Sequence, residues 1–255
     1  MKWKEWFSKR AADLRFAASR RIYTCDGCGK EIFDGPETRL CADCAAEIPR
    51  SLPACPKCGR KGLSQGLCLD CKRTPPRFVR GFSPFSYRGL AARMLNRFKN
   101  GERHLAWFFG GEMAATLENA TGRGEITVPE EGILIASVPA SEERKRARGY
   151  DQAAELAEVL SRLTGAERKQ VLTMTRRTQP QKSLTAEARR KNAEGAYRAI
   201  KGSCAGRTVL LVDDLMTTGA TADACTRALY KAGAAAVYFL SAAAVPERAV
   251  FFGAD

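Results

Sequence analysis

The sequence predicts an α/β fold, with a mostly parallel sheet and helices on both faces, preceded by a small cysteine-rich domain. After about residue 132, buried strand patterns alternate with amphipathic helix patterns, which favours parallel strands joined by helical crossovers. Eight of the ten cysteines lie between positions 25 and 71. The proline-rich joint RTPPR at 73–77 separates the two regions, so we expect domains at 1–22, 23–76 and 77–255.

The composition limits the class of protein. A hydrophobic content of 45% over 255 residues is enough for a core, and no apolar run approaches the ~18 residues of a membrane span. The N-terminus is charged throughout, which argues against a secretory signal and predicts a cytoplasmic protein. The formal net charge of +14 favours polyanionic partners such as nucleic acid, phosphorylated metabolites or anionic lipid.

Residues 2–22 are predicted to form a basic amphipathic helix, with Trp3, Trp6 and Phe7 on its apolar face. An amphipathic helix needs a surface on which to bury that face. Two interpretations stay open: the helix packs on its own protein, or it docks onto a partner or the inner face of the membrane.

The elements expected after the joint are short strands and longer helices. A strand pattern at 78–87 is followed by helical periodicity over 90–120, which is interrupted near Asn100-Gly101. Gly165 is expected to end a later helix. Beyond residue 131, strands are predicted at 132–139, 170–174, 207–214 and 235–244, and helices at 149–165 and 221–234.

The eight clustered cysteines form four CxxC pairs, separated by 12, 10 and 9 residues. A CxxC turn lets two thiolates reach one ion, and a tetrahedral zinc ion needs two such turns. The pattern therefore predicts two zinc ions, which are structural because four cysteines leave no open position for water. Neighbouring pairs give the simplest pairing, and a cross-braced pairing also fits the spacing. With neighbours joined, the groups are Cys25, Cys28, Cys41, Cys44 and Cys55, Cys58, Cys68, Cys71.

The stretch VLLVDDLMTTGAT at 209–221 is the strongest functional signal. A buried strand delivers Asp213 and Asp214 to the carboxyl edge of the sheet, where open α/β folds bind ligands. Threonines and Gly219 follow, and then a helix begins, whose first N–H groups and dipole suit a phosphate dianion. The acids can accept hydrogen bonds from sugar hydroxyls or help to hold a divalent ion. The stretch matches neither the GxxxxGKS/T pattern of a P-loop nor GxGxxG.

Two basic segments fit a phosphorylated ligand. The segment SVPASEERKRARGYDQA at 137–153 carries Arg144, Lys145, Arg146 and Arg148. Such a run alone is typical of a solvated face or a nucleic-acid contact, but here it accompanies a phosphate loop. Residues 176–197 are polar and basic, and we expect a loop that closes over the ligand.

The strand, the two acids, TTGAT and the following helix resemble the phosphoribosyl pyrophosphate (PRPP) loop of type I phosphoribosyltransferases. The order of CxxC pairs, RFKNGER, VP…RKRARGYDQA, TQPQKSL…RRKNAEGAY and VLLVDDLMTTGAT resembles the ComF family over about residues 23–245. That resemblance implies a phosphoribosyltransferase fold with an N-terminal zinc-binding region. It also implies an association with natural competence, the uptake and handling of single-stranded DNA, but it supplies no acceptor substrate.

The resemblance further implies roles for individual residues. Asp213 and Asp214 would meet the ribose hydroxyls of PRPP, which binds with Mg²⁺. Arg189 and Asn192 belong to the closing loop, and Asp151 departs from the family pattern, in which asparagine is expected. The cradle for the 5′-phosphate would comprise Thr217, Thr218, Gly219, Ala220 and Thr221. The pyrophosphate loop would comprise Val138, Pro139 and Ala140, with Arg148 nearby.

Two functions stay open from the sequence. One is a competence protein that binds single-stranded DNA, works with DNA-uptake proteins at the inner membrane and carries a PRPP site. The other is an active phosphoribosyltransferase, in which a nucleobase or amine displaces pyrophosphate from PRPP. No general base for such a reaction is evident in the sequence.

Several conspicuous residues are expected to have no direct part in function. His104, the single histidine, is expected at the surface or in packing. Cys225 lies in an alanine-rich helix and is predicted to be buried, whereas Cys204 lies in a Gly/Ser loop and is predicted to be exposed. The aromatic residues predicted to be core rather than a base-stacking platform are Trp107, Phe108 and Phe109.

Overall fold

The computed structural model describes residues 24–32, 39–48, 53–61, 66–175 and 195–246. The predicted helix at 2–22 lies outside the described residues, as do Arg189 and Asn192. The strands of the described part are β1 Gly81–Phe82, β2 Phe85–Ser86, β3 Leu134–Ser137, β4 Leu172–Met174, β5 Tyr197–Ala199, β6 Thr208–Met216 and β7 Ala236–Ala244. Its helices are α1 Ala42–Glu47, α2 Leu69–Arg73, α3 Gly89–Lys99, α4 Leu105–Gly122, α5 Glu142–Arg148, α6 Gln152–Thr164 and α7 Ala220–Lys231.

Five strands form one parallel sheet in the order β1-β7-β6-β3, with β2 following β1 along the same edge of β7. β6 is buried over its first five residues because both of its faces are covered. Leu210 and Val212 join the core beneath α3, α4 and α6, whereas Val209 and Leu211 join the core beneath α7. The predicted parallel α/β sheet with helices on both faces is therefore confirmed.

The strand predicted at 78–87 lies at the edge of the sheet and is split into two pieces. Gly81 pairs with Phe239, and Phe85 pairs with Ala243, so β1 and β2 keep one register along β7. Pro84 lies in the break and has no N–H to donate to a ladder. Both pieces are fully buried, which is unusual for an edge strand and shows that other parts of the chain cover this edge.

The strand predicted at 170–174 forms but does not join the main sheet. β4 pairs antiparallel with β5, and Met174 lies opposite Tyr197. β4 has a single buried residue, Leu172, so it suits a small two-stranded sheet better than a sheet interior. Beyond β3, the segment around Arg168 pairs with Ile135 instead.

The cysteine-rich region is divided between the two faces of the sheet. The core beneath α3, α4 and α6 includes members of the first cysteine group, which comprises Cys25, Cys28, Cys41 and Cys44. The core beneath α7 includes the second cysteine group, which comprises Cys55, Cys58, Cys68 and Cys71. The domain boundaries at 22/23 and 76/77 stay a prediction.

The helical region at 90–120 is interrupted where the sequence predicted. α3 ends at Lys99 and α4 begins at Leu105. Phe108 and Phe109 are buried; Phe108 stacks on Phe85 and Phe109 meets Phe85 edge to face, so the prediction of a core role for these two residues is confirmed. α6 ends at Gly165, whose φ of +66° is the left-handed region that glycine adopts without strain.

The replacement Gly110→Ala is expected to destabilise the protein by about 1–3 kcal/mol. A Cβ at Gly110 would lie 2.4 Å from Cγ1 of Val159, where α4 packs on α6. The matched control is Gly122→Ala in the same helix, because a Cβ there meets nothing within 4 Å. That change is expected to be neutral or to stabilise by roughly 0.5–1 kcal/mol. Denaturant unfolding measures both, and equal stability of the two variants would contradict the tight helix contact.

Candidate functional site

A cleft opens at the carboxyl edge of the sheet between β3 and β6. The two strands are parallel neighbours, and Ser137 at the end of β3 pairs with Val212. β6 continues to Met216, two residues further than predicted, so its last residues extend past the end of β3. The cleft has a volume of about 360 Å³, which is within the range of small-ligand sites.

The cleft brings together three segments that are distant in the sequence. From the segments after β3 and in α5, it is lined by Val138, Pro139, Ala140 and Arg148. From the end of β6 and the following loop, it is lined by Asp213, Asp214, Thr217, Gly219 and Thr221. Thr218 and Ala220 line a smaller cavity of about 160 Å³ on the other side of the loop, beside the second cysteine group.

The two acids at the end of β6 differ in their surroundings. Asp214 forms an ion pair with Lys99 at the end of α3, with 3.3 Å between Oδ2 and Nζ. Oδ1 of Asp213 accepts a hydrogen bond from the backbone N–H of Asp214 at 2.8 Å. Burial raises the pKa of Asp213 well above the usual carboxyl range, and the negative charges of Asp214 and Asp151 raise it further. Asp213 therefore holds its proton more tightly than an ordinary carboxyl group unless a cation enters the cleft.

The loop after β6 leads into the start of α7. Gly219 has a φ of +77° and is the residue immediately before the helix, a position that favours glycine. Gly219 has no side chain to cap the helix, and the hydroxyl group of Thr218 accepts a hydrogen bond from the N–H of Ala220 at 3.4 Å. Thr217 and Thr221 lie on the cleft side of the loop. A helix N-terminus flanked by hydroxyl groups suits an anionic group such as phosphate.

Asp151 fixes the segment Val138–Ala140. Its Oδ2 accepts a hydrogen bond from the N–H of Ala140, and its Oδ1 accepts one from the N–H of Ala154, both at 3.1 Å. The second bond caps the N-terminus of α6. A carboxylate offers a separate oxygen to each amide, whereas asparagine has a single carbonyl oxygen. Aspartate at position 151 can therefore hold both amides at once.

Within the described residues, the positive charge of the cleft comes from two helices. Lys99 ends α3, and Arg144 and Arg148 lie in α5. Lys145 and Arg146 border a different groove, beside β4. The basic run forms a short helix, which the sequence did not predict. Because a helix directs successive side chains to different sides, the four basic residues are divided between the cleft and this groove.

Sequence reasoning gave no role to Lys99 or Tyr197, which both line the cleft. Lys99 lies in the segment RFKNGER, which contributed to the family resemblance but to which the sequence assigned no function. Tyr197 was placed at the end of the predicted closing loop, but it begins β5. Burial, followed by the neighbouring Cys225 and Asp213, raises the pKa of Tyr197 above its usual range, so its hydroxyl stays neutral.

Each cysteine group can hold a tetrahedral ion. Within each group the four sulfur atoms lie within 4.8 Å of one another, so the simplest, neighbouring arrangement of the pairs is the one found. A tetrahedral zinc ion with Zn–S distances of ~2.3 Å needs sulfur–sulfur distances of about 3.8 Å. The Sγ atoms of Cys28 and Cys41 are 3.8 Å apart, and those of Cys58 and Cys68 are 3.6 Å apart. The donor sets therefore fit zinc.

The remaining cysteines and the histidine are packing residues. The prediction that Cys204 is exposed is wrong, because the turn that carries it folds under the C-terminal end of α7. Its Sγ lies 3.7 Å from the carbonyl oxygen of Leu229. Cys225 is buried as predicted, and burial raises the pKa of its thiol. Nε2 of His104 lies 3.7 Å from the buried Asp26 carboxylate, which agrees with the packing role predicted for it.

Comparisons with known proteins agree with this architecture. The phosphoribosyl transferase domain family matches residues 147–251. The chain is 28% identical to the competence protein ComFC of Bacillus subtilis (strain 168), over 79% of this chain and 82% of that protein. It is also 28% identical to the DNA utilization protein YhgH of Escherichia coli (strain K12), over 78% of this chain and 87% of that protein.

A third relative is competence protein F of Haemophilus influenzae, which is 28% identical over 76% of this chain and 85% of that protein. The resemblance to the ComF family is thereby confirmed. This ComF-like chain has a parallel-sheet α/β fold of the type I phosphoribosyltransferase kind, with two cysteine groups near its N-terminus. In its described part, none of the helices combines the length and the apolar character needed to span a bilayer.

The raised pKa of Asp213 predicts a pH-dependent stability difference. Above the unfolded-state pKa of about 3.9, the unfolded chain loses this proton while the folded protein keeps it, so the residue lowers stability as pH rises. Asp213→Asn should therefore be more stable than the natural protein near pH 7, with the difference vanishing towards pH 4. Each unit of pKa shift corresponds to about 1.4 kcal/mol of unfolding free energy.

The comparison variant is Asp214→Asn, which removes one charge that raises the pKa of Asp213 but also breaks the ion pair with Lys99, so its gain near pH 7 should be smaller than that of Asp213→Asn. Denaturant unfolding at several pH values measures both variants. A difference between Asp213→Asn and the natural protein that does not change between pH 4 and pH 8 would contradict the assigned pKa shift.

Proposed function

We propose that the chain binds Mg-PRPP in the cleft and handles single-stranded DNA during its uptake. The PRPP part of the proposal rests on one observation. Paired acids, a helix N-terminus and the Val138–Ala140 segment meet around a single cleft. The relatives are named as competence and DNA utilization proteins, which supports the DNA part. The proposal includes a cytoplasmic location, with competence DNA-uptake proteins at the inner face of the membrane as partners.

The phosphoribosyl group would lie along the end of β6. The 5′-phosphate would bind the N-terminus of α7 and the hydroxyl groups of Thr217 and Thr221, because backbone N–H groups and the helix dipole favour a dianion. Asp213 and Asp214 would accept hydrogen bonds from the ribose hydroxyls. Lys99 would then have to share Asp214 with the ligand, since the two are already paired.

The pyrophosphate would lie beside the Val138–Ala140 segment. Arg144 and Arg148 line this side of the cleft and supply positive charge close to it. A Mg²⁺ ion bound with PRPP would neutralise part of the remaining negative charge. Asp151 would keep the N–H of Ala140 turned towards α6, which leaves the cations rather than this amide to meet the pyrophosphate.

Zinc is the ion that we propose for both cysteine groups. The backbone N–H of Cys41 donates to Sγ of Cys25 at 3.2 Å, and that of Cys68 donates to Sγ of Cys55 at 3.4 Å. Such bonds stabilise thiolates, which are the form that binds zinc. Four thiolates fill the tetrahedron, so both ions would be structural.

The alternative function is transfer of phosphoribose from PRPP to a nucleobase or amine. The cleft would favour it by positioning the ligand and by stabilising the departing pyrophosphate with Arg144, Arg148 and Mg²⁺. Pyrophosphate release in the presence of a panel of acceptors distinguishes this enzyme from a protein that only binds PRPP.

Mg-PRPP binding is tested by calorimetric titration of the zinc-loaded protein. The natural protein should bind, and the double variant Asp213→Asn/Asp214→Asn should lose at least tenfold in affinity, as expected when hydrogen bonds to charged acceptors are weakened. Cys204→Ser, at a buried position away from the cleft, is the matched control and should bind normally. A folded natural protein that binds no Mg-PRPP would refute the PRPP part of the proposal.

Single-stranded DNA binding is tested with a labelled oligonucleotide at several salt concentrations. Because lysine and arginine contacts release counterions, the logarithm of the binding constant should fall linearly with the logarithm of the salt concentration. A duplex of the same sequence is the control and should bind more weakly. If no binding occurs even at low salt, the DNA part of the proposal is wrong.

A further inference from the structure

Arg60 connects the second cysteine group to residues 217–219 between β6 and α7, the phosphate loop of the proposed PRPP site. It follows Cys58 by two residues, and its side chain is 7% exposed. Nη1 donates to Oδ2 of Asp70 at 2.9 Å, and Nη2 donates to the backbone carbonyl oxygen of Thr217 at 2.5 Å. Asp70 lies between Cys68 and Cys71, so one guanidinium group joins both CxxC turns of the group to the loop.

The contact with Thr217 bears directly on how the loop can meet an anion. The carbonyl of Thr217 and the N–H of Thr218 belong to one planar peptide unit, in which they point in opposite directions. A charged donor that holds the carbonyl oxygen therefore also fixes the direction of the Thr218 N–H. With the oxygen held towards the second cysteine group, that N–H is directed away from it.

The backbone that leads to Arg60 is held against the edge of the sheet. The backbone carbonyl of Lys57 accepts a hydrogen bond from the N–H of Gly81 in β1 at 2.8 Å. A Cβ on Gly59 would lie 2.5 Å from the carbonyl oxygen of Gly81, so the two backbones are in direct contact. The Nζ atom of Lys57 donates to the carbonyl oxygen of Phe78. These contacts leave Arg60 little freedom as long as the CxxC turns hold their shape.

The first cysteine group also has an arginine that pairs with an aspartate of a CxxC turn, but this arginine does not contact the phosphate loop. Nε of Arg39 donates to Oδ2 of Asp26 at 2.6 Å, and Nη2 donates to the carbonyl oxygen of His104 at 3.4 Å. His104 immediately precedes α4 and lies outside the phosphate loop. An arginine–aspartate pair thus accompanies each group, but only the pair of the second group reaches the loop.

We infer that Arg60 is a positioning residue that couples the metal ion of the second cysteine group to ligand binding at the phosphate loop. The inference rests on the proposed PRPP site. Arg60 and Asp70 belong to different CxxC turns, and a shared ion holds these turns together. Loss of the ion frees the turns, breaks the alignment of Arg60 with Thr217 and lets the Thr217–Thr218 peptide rotate. By thermodynamic linkage, bound ligand raises the affinity for this ion by the same factor.

The first test is calorimetry with Mg-PRPP on zinc-loaded, full-length protein. Arg60→Met keeps a long side chain without the donors and should bind roughly tenfold more weakly, the loss expected for a hydrogen bond to a charged donor. Arg39→Met is the matched control and should bind like the natural protein. Both variants should retain two zinc ions per chain. Equal affinity of Arg60→Met and the natural protein would overturn the inference and leave the proposed function intact.

The second test does not need PRPP. Hydrogen exchange at the amides of residues 218–221 should be faster in Arg60→Met than in Arg39→Met or the natural protein. Faster exchange supports the positioning role even if neither the natural protein nor the variants bind PRPP. In that case only the proposed function fails. Unchanged exchange at these amides would overturn the role.

The third test uses the natural protein and so does not depend on the folding of a variant. Equilibrium competition with a metal chelator should remove one of the two zinc ions less readily when Mg-PRPP is saturating. If both ions are removed equally with and without Mg-PRPP, while Mg-PRPP binds, the coupling does not exist.

Discussion

The parallel pairing of β3 with β6 is the constraint on which the rest of the site depends. Its register places Ser137 opposite Val212, so the Val138–Ala140 segment leaves the sheet beside Asp213. Because β3 is shorter than β6, the acids at the end of β6 are open on that side. The resulting cleft concentrates two carboxylates in a partly buried place, and the raised pKa of Asp213 is the electrostatic consequence.

The two cysteine groups stand on opposite faces of the sheet, and each contacts an element that contributes to the cleft. Arg97 of α3 donates to the carbonyl oxygens of Asp26 and Gly27 in the first group, and Lys99 ends the same helix. Arg60 extends from the second group to the phosphate loop. A region that the sequence presents as a separate preceding domain is therefore packed against elements on both sides of the cleft.

Local signals in the sequence predicted the paired acids, the loop and helix start after them, the segment after β3 and both cysteine groups. Each of these is a short stretch whose chemistry depends on its own neighbours. Lys99 and Tyr197 carried no such signal, because each enters the cleft from an element whose position is set by packing. Cys204 was misjudged for the same reason: a Gly/Ser turn looks exposed until α7 is placed over it.

By itself, the sequence determined the alternation of strands and helices, the acids followed by a helix start, and the ligand spacing of the cysteines. These features follow from hydrophobic periodicity and from the reach of a few consecutive residues. Only the tertiary structure decided that the cysteine groups lie on opposite faces, that Lys99 pairs with Asp214 and that Arg60 reaches Thr217. Those contacts join residues up to 157 positions apart, and they depend on strand register and helix packing.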